Sequence, residues 1–145
     1  MSTNVFSKLF YHITWATKRR APILADPLRE VALKAVRDKS KDLGCFLHAA
    51  NGVEDHVHVV VEIKPSIAIS EVVGQLKGYS AHMVNALSGN GMKWQEGYGV
   101  VSFRETELAK VVRYVDQQAV RHSSGKVSEL LEFVGSNPED EDQSP

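Results

Sequence analysis

Polar and apolar positions alternate most regularly over residues 55–63, Asp-His-Val-His-Val-Val-Val-Glu-Ile. A period of two is the signature of a strand, with His56, His58, Val60 and Glu62 on one face. Val57, Val59, Val61 and Ile63 share the other face, which is wholly apolar and must lie on the core. Upstream, residues 6–17 are rich in aromatic and β-branched side chains and read as a strand. Asp26-Pro27 predicts a helix start, with Asp26 as N-cap and Pro27 at the first helical position. Leu28, Val31, Ala32, Ala35, Val36 and Leu43 then form a helical stripe that Gly44 stops. Residues 45–50 read as a second strand, and Asn51-Gly52 and Glu54-Asp55 are turn candidates before the histidine strand.

Pro65-Ser66 breaks that strand, and Ser70 is placed to cap the next helix. Its apolar face is Val72, Val73, Leu76, Met83, Val84 and Leu87, and Gly89-Asn90-Gly91 closes it. Residues 98–103 read as a fourth strand, and residues 106–121 as a third helix with the stripe Leu108, Val111, Val112, Val115 and Ala119. The order is β-α-β-β-α-β plus a C-terminal helix. The fold class expected is α+β, a ferredoxin-like or RRM-like sandwich with an antiparallel sheet. Such a sheet carries helices on one face, so His56 and His58 are expected on the bare one.

The length and an apolar fraction of 43% fit one domain, residues 1–135, followed by a disordered acidic tail, 136–145. No signal peptide is evident and no apolar run reaches membrane length, so a soluble cytoplasmic protein is expected. The single cysteine, Cys45, excludes a disulfide framework and reads as a small buried hydrophobe. A net charge of −1 argues against a nucleic-acid partner until the tail is set aside. Without Glu139, Asp140, Glu141 and Asp142, 17 bases face 14 acids, a body charge of +3. The cluster Lys18-Arg19-Arg20 and scattered cations such as Lys77 permit phosphate binding without demanding it.

Two imidazoles side by side on a strand are half of a metal site. They can equally be satisfied structural histidines, and the strand alone leaves both readings open. On the third helix Tyr114, Gln118 and Arg121 lie to one side of the stripe, because residues three and four apart are neighbours. A tyrosine beside a metal is a competent nucleophile for phosphate. Gln118 offers an amide oxygen, a hard ligand suited to Mg2+ or Mn2+. The bland alternatives are an edge-of-core tyrosine and a solvated glutamine.

His56-Val57-His58 with Tyr114-Val115-Asp116-Gln117-Gln118 downstream resembles the single-tyrosine HUH transposases of small insertion sequences and their relatives acting on repetitive extragenic palindromes (REP). The resemblance includes the opening strand from Tyr11 to Lys18, Leu76-Lys77-Gly78, and Trp94-Gln95-Glu96-Gly97-Tyr98-Gly99, and spans about residues 6–133. It implies that His56, His58 and Gln118 bind one Mg2+ or Mn2+ ion. It implies too that Tyr114 attacks a single-stranded DNA phosphate, leaving a 5′-phosphotyrosine link and a free 3′-OH. Family members bind a DNA hairpin and work as homodimers, in which the tyrosine helix can serve the partner's site. Lys18, Arg19, Arg20 and Lys77 are the candidate DNA contacts, Gln117 is the rival third ligand, and Glu62 reads as a solvated strand residue.

Three other functions compete with this one. His12-Ile13-Thr14 and His122-Ser123-Ser124 suit a metal-independent two-histidine phosphoesterase, but His122 falls at a helix end. An RRM-like module would need aromatics on the bare sheet face, and the histidine strand has none. A catalytically inactive, hairpin-binding descendant keeps the same motifs.

Overall fold

The structure, a computed structural model, describes residues 5–117. Its elements are β1 (Phe10–Ala16), α1 (Leu28–Asp42), β2 (Phe46–Gly52), β3 (His56–Glu62), α2 (Ile69–Ser88), β4 (Gly99–Phe103) and α3 (Leu108–Asp116). Short 3-10 turns at Lys18–Arg20 and Glu105–Glu107 precede α1 and α3. The strands form a single antiparallel sheet in the order β2-β3-β1-β4, which is the expected α+β sandwich. The most regularly alternating stretch, β3, is therefore central, paired on both sides.

The alternation in β3 divides its side chains as predicted. Val57, Val59, Val61 and Ile63 are almost fully buried against α1 and α2, together with Ile13 and Trp15 of β1. Val72, Val73, Leu76 and Val84 supply the α2 half of this core. Met83 and Leu87, expected on the same stripe, are 36% and 57% exposed. They lie in the last two turns of α2, which ends at Ser88. Cys45 is buried in this core, as expected of a small hydrophobe, and burial pushes its thiol pKa up.

The other face is not bare. α3 packs across it through Val111, Tyr114 and Val115, against Ala49 of β2 and Val60 of β3. Its own stripe required this, because an amphipathic helix with nothing to cover would leave Val111 and Val115 in water. The sheet is consequently sandwiched between helices on both sides.

Several boundaries differ from expectation. Pro27, not Asp26, precedes the first residue of α1, and the Asp26 carboxylate instead accepts from Arg29 at 3.2 Å. α2 starts at Ile69 after Ala68, so Ser70 lies inside it and makes no capping bond. Asn51 and Gly52 belong to β2, and the turn lies between Gly52 and His56. Gly52 is needed for close approach: a Cβ there would meet the His56 carbonyl oxygen at 2.9 Å. Ala119, Arg121, His122, the remainder of the predicted third helix and the acidic tail lie outside the described residues.

Candidate functional site

His56 and His58 are 1% and 0% exposed, with ring centroids 5.0 Å apart. Imidazoles this deeply buried need partners on their ring nitrogens, and each has a different one. The Nδ1 of His56 lies 2.7 Å from Asp55 Oδ1. A carboxylate can only accept, so this nitrogen carries the proton and the Nε2 of a neutral His56 holds the lone pair. The same carboxylate is gripped from behind by Arg20, whose Nε donates to Oδ2 at 3.2 Å. Burial alone would raise the Asp55 carboxyl, but the His56 hydrogen bond and the Arg20 charge hold its pKa below the ordinary value. The loop is pinned by Thr17 N–H to Asp55 O and Leu24 N–H to Glu54 O, both 2.9 Å.

The Nδ1 of His58 meets Nε2 of His12, from β1, at 2.9 Å, and the two rings stack 5.0 Å apart at 23°. The β1–β3 register places Thr14 directly opposite His58 and His12 opposite Val60. His12 thus leans diagonally along the face toward His58. Periodicity within β3 says nothing about which β1 residue lies alongside it, so the His12 contact was not visible in the sequence.

Tyr114 completes the cluster. It is 6% exposed, and its ring stands edge-on to His58 at 6.1 Å and to His12 at 6.4 Å. Because α3 packs on the sheet of its own chain, the tyrosine meets the histidines of its own chain. Asn51 ties down the end of that helix, its Nδ2 donating to the Val115 and Asp116 carbonyls at 3.0 and 3.2 Å. In sequence Asn51 looked like a turn residue. Its tether became visible only with α3 in place. Gln117 follows α3 and is exposed, and Gln118 lies outside the described residues.

The donor set suits a divalent cation. With metal–nitrogen bonds of about 2.1 Å, two imidazoles on one ion have centroids roughly 5 Å apart. The carboxylate on His56 is the orienting group such ligands commonly have. Among the described residues no third His, Cys, Asp or Glu joins the pair as a ligand. Glu62, on the same face, is turned instead to His48, with Oε1 3.5 Å from Nε2.

The four basic candidates separate. Lys18 and Arg19 line an open groove of about 570 Å³ together with Lys93, Asn90 and Gly91, over an apolar floor of Ile23, Leu28, Val84 and Met92. Arg20 is engaged by Asp55. The Lys77 ammonium donates to the Gln95 and Gly97 carbonyls at 2.8 and 3.0 Å. Burial lowers the Lys77 pKa, and nearby Glu96 opposes that shift. Lys93 is a groove residue not evident in the sequence, because it lies far along the chain from Lys18 and meets it through the Lys18 N–H to Lys93 O bond of 3.0 Å.

The antiparallel sheet and α3 thus bring two strand histidines and a helical tyrosine together on one face. A family model described as "Transposase IS200 like" matches residues 5–118, and the chain belongs to that family. It is 25% identical over 118 residues to the ISDra2 transposase TnpA of Deinococcus radiodurans, covering 77% of this chain and 84% of the relative. It is 27% identical over 123 residues to the transposase for insertion sequence element IS200 of Salmonella typhimurium, covering 80% of each. A crystal structure from Deinococcus radiodurans described as a transposase superposes with a TM-score of 0.67 at 28% identity, over 81% of this chain and 96% of that one. The structure of a REP-associated tyrosine transposase bound to a REP hairpin gives 0.62 at 17% identity, over 97% of this chain and 84% of that one, and shows the shared fold alone. No helix among the described residues is long and apolar enough to cross a membrane.

Proposed function

We propose that the protein cleaves and rejoins single-stranded DNA through Tyr114, with His56 and His58 as ligands of one divalent ion. The observation carrying this reading is the Tyr114 ring 6.1 Å from His58, itself 5.0 Å from His56. Mg2+ or Mn2+ bound there, with an amide oxygen of Gln118 or Gln117 as third protein ligand, would neutralise charge on a phosphate oxygen and favour phenolate. The Tyr114 oxygen loses its proton and forms the new bond to phosphorus. The bond from phosphorus to the 3′ oxygen breaks, and that oxygen leaves with the electron pair and takes up a proton. The products are a 5′-phosphotyrosine and a free 3′-OH, and reversal on another 3′-OH rejoins the strand without ATP, because one phosphoester replaces another. With one such tyrosine per chain, two cuts require two chains, so a homodimer is the working assembly.

DNA approach is assigned to the groove cations Lys18, Arg19 and Lys93, whose side chains have no acidic neighbour in the groove lining. Arg20 and Lys77 are assigned internal roles, since each already holds protein oxygens. The REP hairpin bound by one structural neighbour supports a hairpin as the DNA partner.

The test is incubation with labelled hairpin-bearing single-stranded oligonucleotides, with Mn2+ or with EDTA, read on a denaturing gel. A covalent protein–DNA band that requires metal and disappears in Tyr114→Phe is expected. Cleavage without an adduct would replace transesterification by hydrolysis. Band shifts without cleavage, equal in wild type and Tyr114→Phe, would favour the inactive hairpin-binding descendant. For the two-histidine phosphoesterase, the structure places His12 against His58, and His122 lies outside the described residues.

A further inference from the structure

We infer that His12 is a positioning residue that selects the tautomer of His58 and thereby makes Nε2 the nitrogen offered to a cation. The inference rests on reading His56 and His58 as ligands. It starts from the 2.9 Å contact between His12 Nε2 and His58 Nδ1, two nitrogens on rings that are 1% and 0% exposed. Between two neutral imidazoles such a contact holds one proton, and it can belong to either ring. If His12 donates, His58 carries its own proton on Nε2, and that nitrogen has no lone pair for a metal. If His58 donates from Nδ1, its Nε2 holds the lone pair, and His12 carries its proton on Nδ1. Only the second arrangement makes His58 a ligand through the same nitrogen as His56.

The two ligands are therefore oriented by unlike groups. Asp55 can only accept, so it imposes the Nδ1–H form on His56 outright. His12 can donate or accept, so it selects the Nδ1–H form of His58 by keeping its own proton on Nδ1 and accepting at Nε2. His12 itself is not placed as a ligand, because its Nε2 is directed at the rear nitrogen of His58 and it joins no converging metal-ligand group among the described residues. Its ring also lies edge-on to Tyr114 at 6.4 Å, so the group that orients one ligand also packs the tyrosine.

The test uses the full chain with 15N-labelled histidine. Long-range 1H–15N correlation on the metal-free wild type is expected to show His58 as Nδ1–H, and an Nε2–H form overturns the proposal without any variant. His12→Phe removes the acceptor while keeping a flat ring. His58 should then move to Nε2–H, and Mn2+ affinity, read from the free-ion EPR signal, should fall by about 10- to 100-fold. His12→Gln places an amide oxygen near the former Nε2 and should restore the Nδ1–H form and most of the affinity. If His12→Phe fails to fold, wild type and His12→Gln still decide. Wild-type affinity in His12→Phe overturns the positioning role. Loss of Mn2+ in both variants with His58 still Nδ1–H would also overturn it, by making His12 a ligand. A wild type that binds no Mn2+ sinks the ligand reading itself, and this inference with it, which separates the two failures.

Discussion

The two faces of the sheet are built from alternate residues of the same strands, yet they are different materials. Toward α1 and α2, β1 and β3 present Ile13, Trp15, Val57, Val59, Val61 and Ile63, a continuous apolar layer. Toward α3 they present His12, Thr14, His56 and His58, all at most 1% exposed. The first face is stabilised by area removed from water and tolerates any well-filled shape. The second holds polar rings that must each be satisfied, under a helix of nine residues tied by a small apolar cluster and by Asn51. Stability is concentrated on one side and the proposed chemistry on the other, so substitutions on the two sides should separate the two properties.

The sharpest separation pairs Tyr114→Phe with Leu76→Ala. Tyr114→Phe should abolish the DNA adduct entirely while changing unfolding free energy by only about 1 kcal/mol. Leu76→Ala should cost about 2–5 kcal/mol in denaturant unfolding and leave adduct formation by the folded fraction intact. Adduct formation lost in Leu76→Ala below its unfolding midpoint would break the division. Next in size, Asp55→Asn replaces a pure acceptor with a group that can also donate, and Mn2+ affinity should drop about 10- to 100-fold. Unchanged titration by Mn2+ would remove Asp55 from the orientation of His56.

Asn51→Ala should loosen α3 by about 1–2 kcal/mol, read as faster amide hydrogen exchange in α3 than in β3. Equal acceleration in both would mean that the helix and sheet open together. The smallest effect concerns Arg19, which sits in the left-handed region at φ 58. Arg19→Gly should relieve roughly 1 kcal/mol of backbone strain while lowering the salt slope of single-strand binding by about 0.7. A stabilised variant with the wild-type slope would take Arg19 out of the proposed DNA path.

The α+β order, the stop at Gly44, the His56/His58 face and the apolar stripe of α3 were all legible in the sequence. The ferredoxin-like template suggested a bare second face, which α3 in fact covers with Val111, Tyr114 and Val115. Glu62 was read as solvated because its neighbour His48 lies on the other side of a hairpin with a register shift between Leu47 and Ala49. Leu76-Lys77-Gly78 and Trp94-Gln95-Glu96-Gly97 looked like separate motifs. They are one contact, in which Lys77 binds the Gln95 and Gly97 carbonyls and the Trp94 indole donates to the Lys77 carbonyl at 3.0 Å.

What the chain determined by itself is what depends on neighbours a few residues apart. A strand turns successive side chains to opposite faces, so the histidine pair and its apolar reverse follow from residues 56–63 alone. What only the tertiary structure decided depends on register between strands and on the packing of helices. His12 reaches His58 because β1 pairs antiparallel to β3 with Thr14 opposite His58. Tyr114 reaches both because α3 buries Val111 and Val115 on that face. Those distances are set by long-range closure, where hydrogen-bond ladders and apolar burial act together, and no local pattern encodes them.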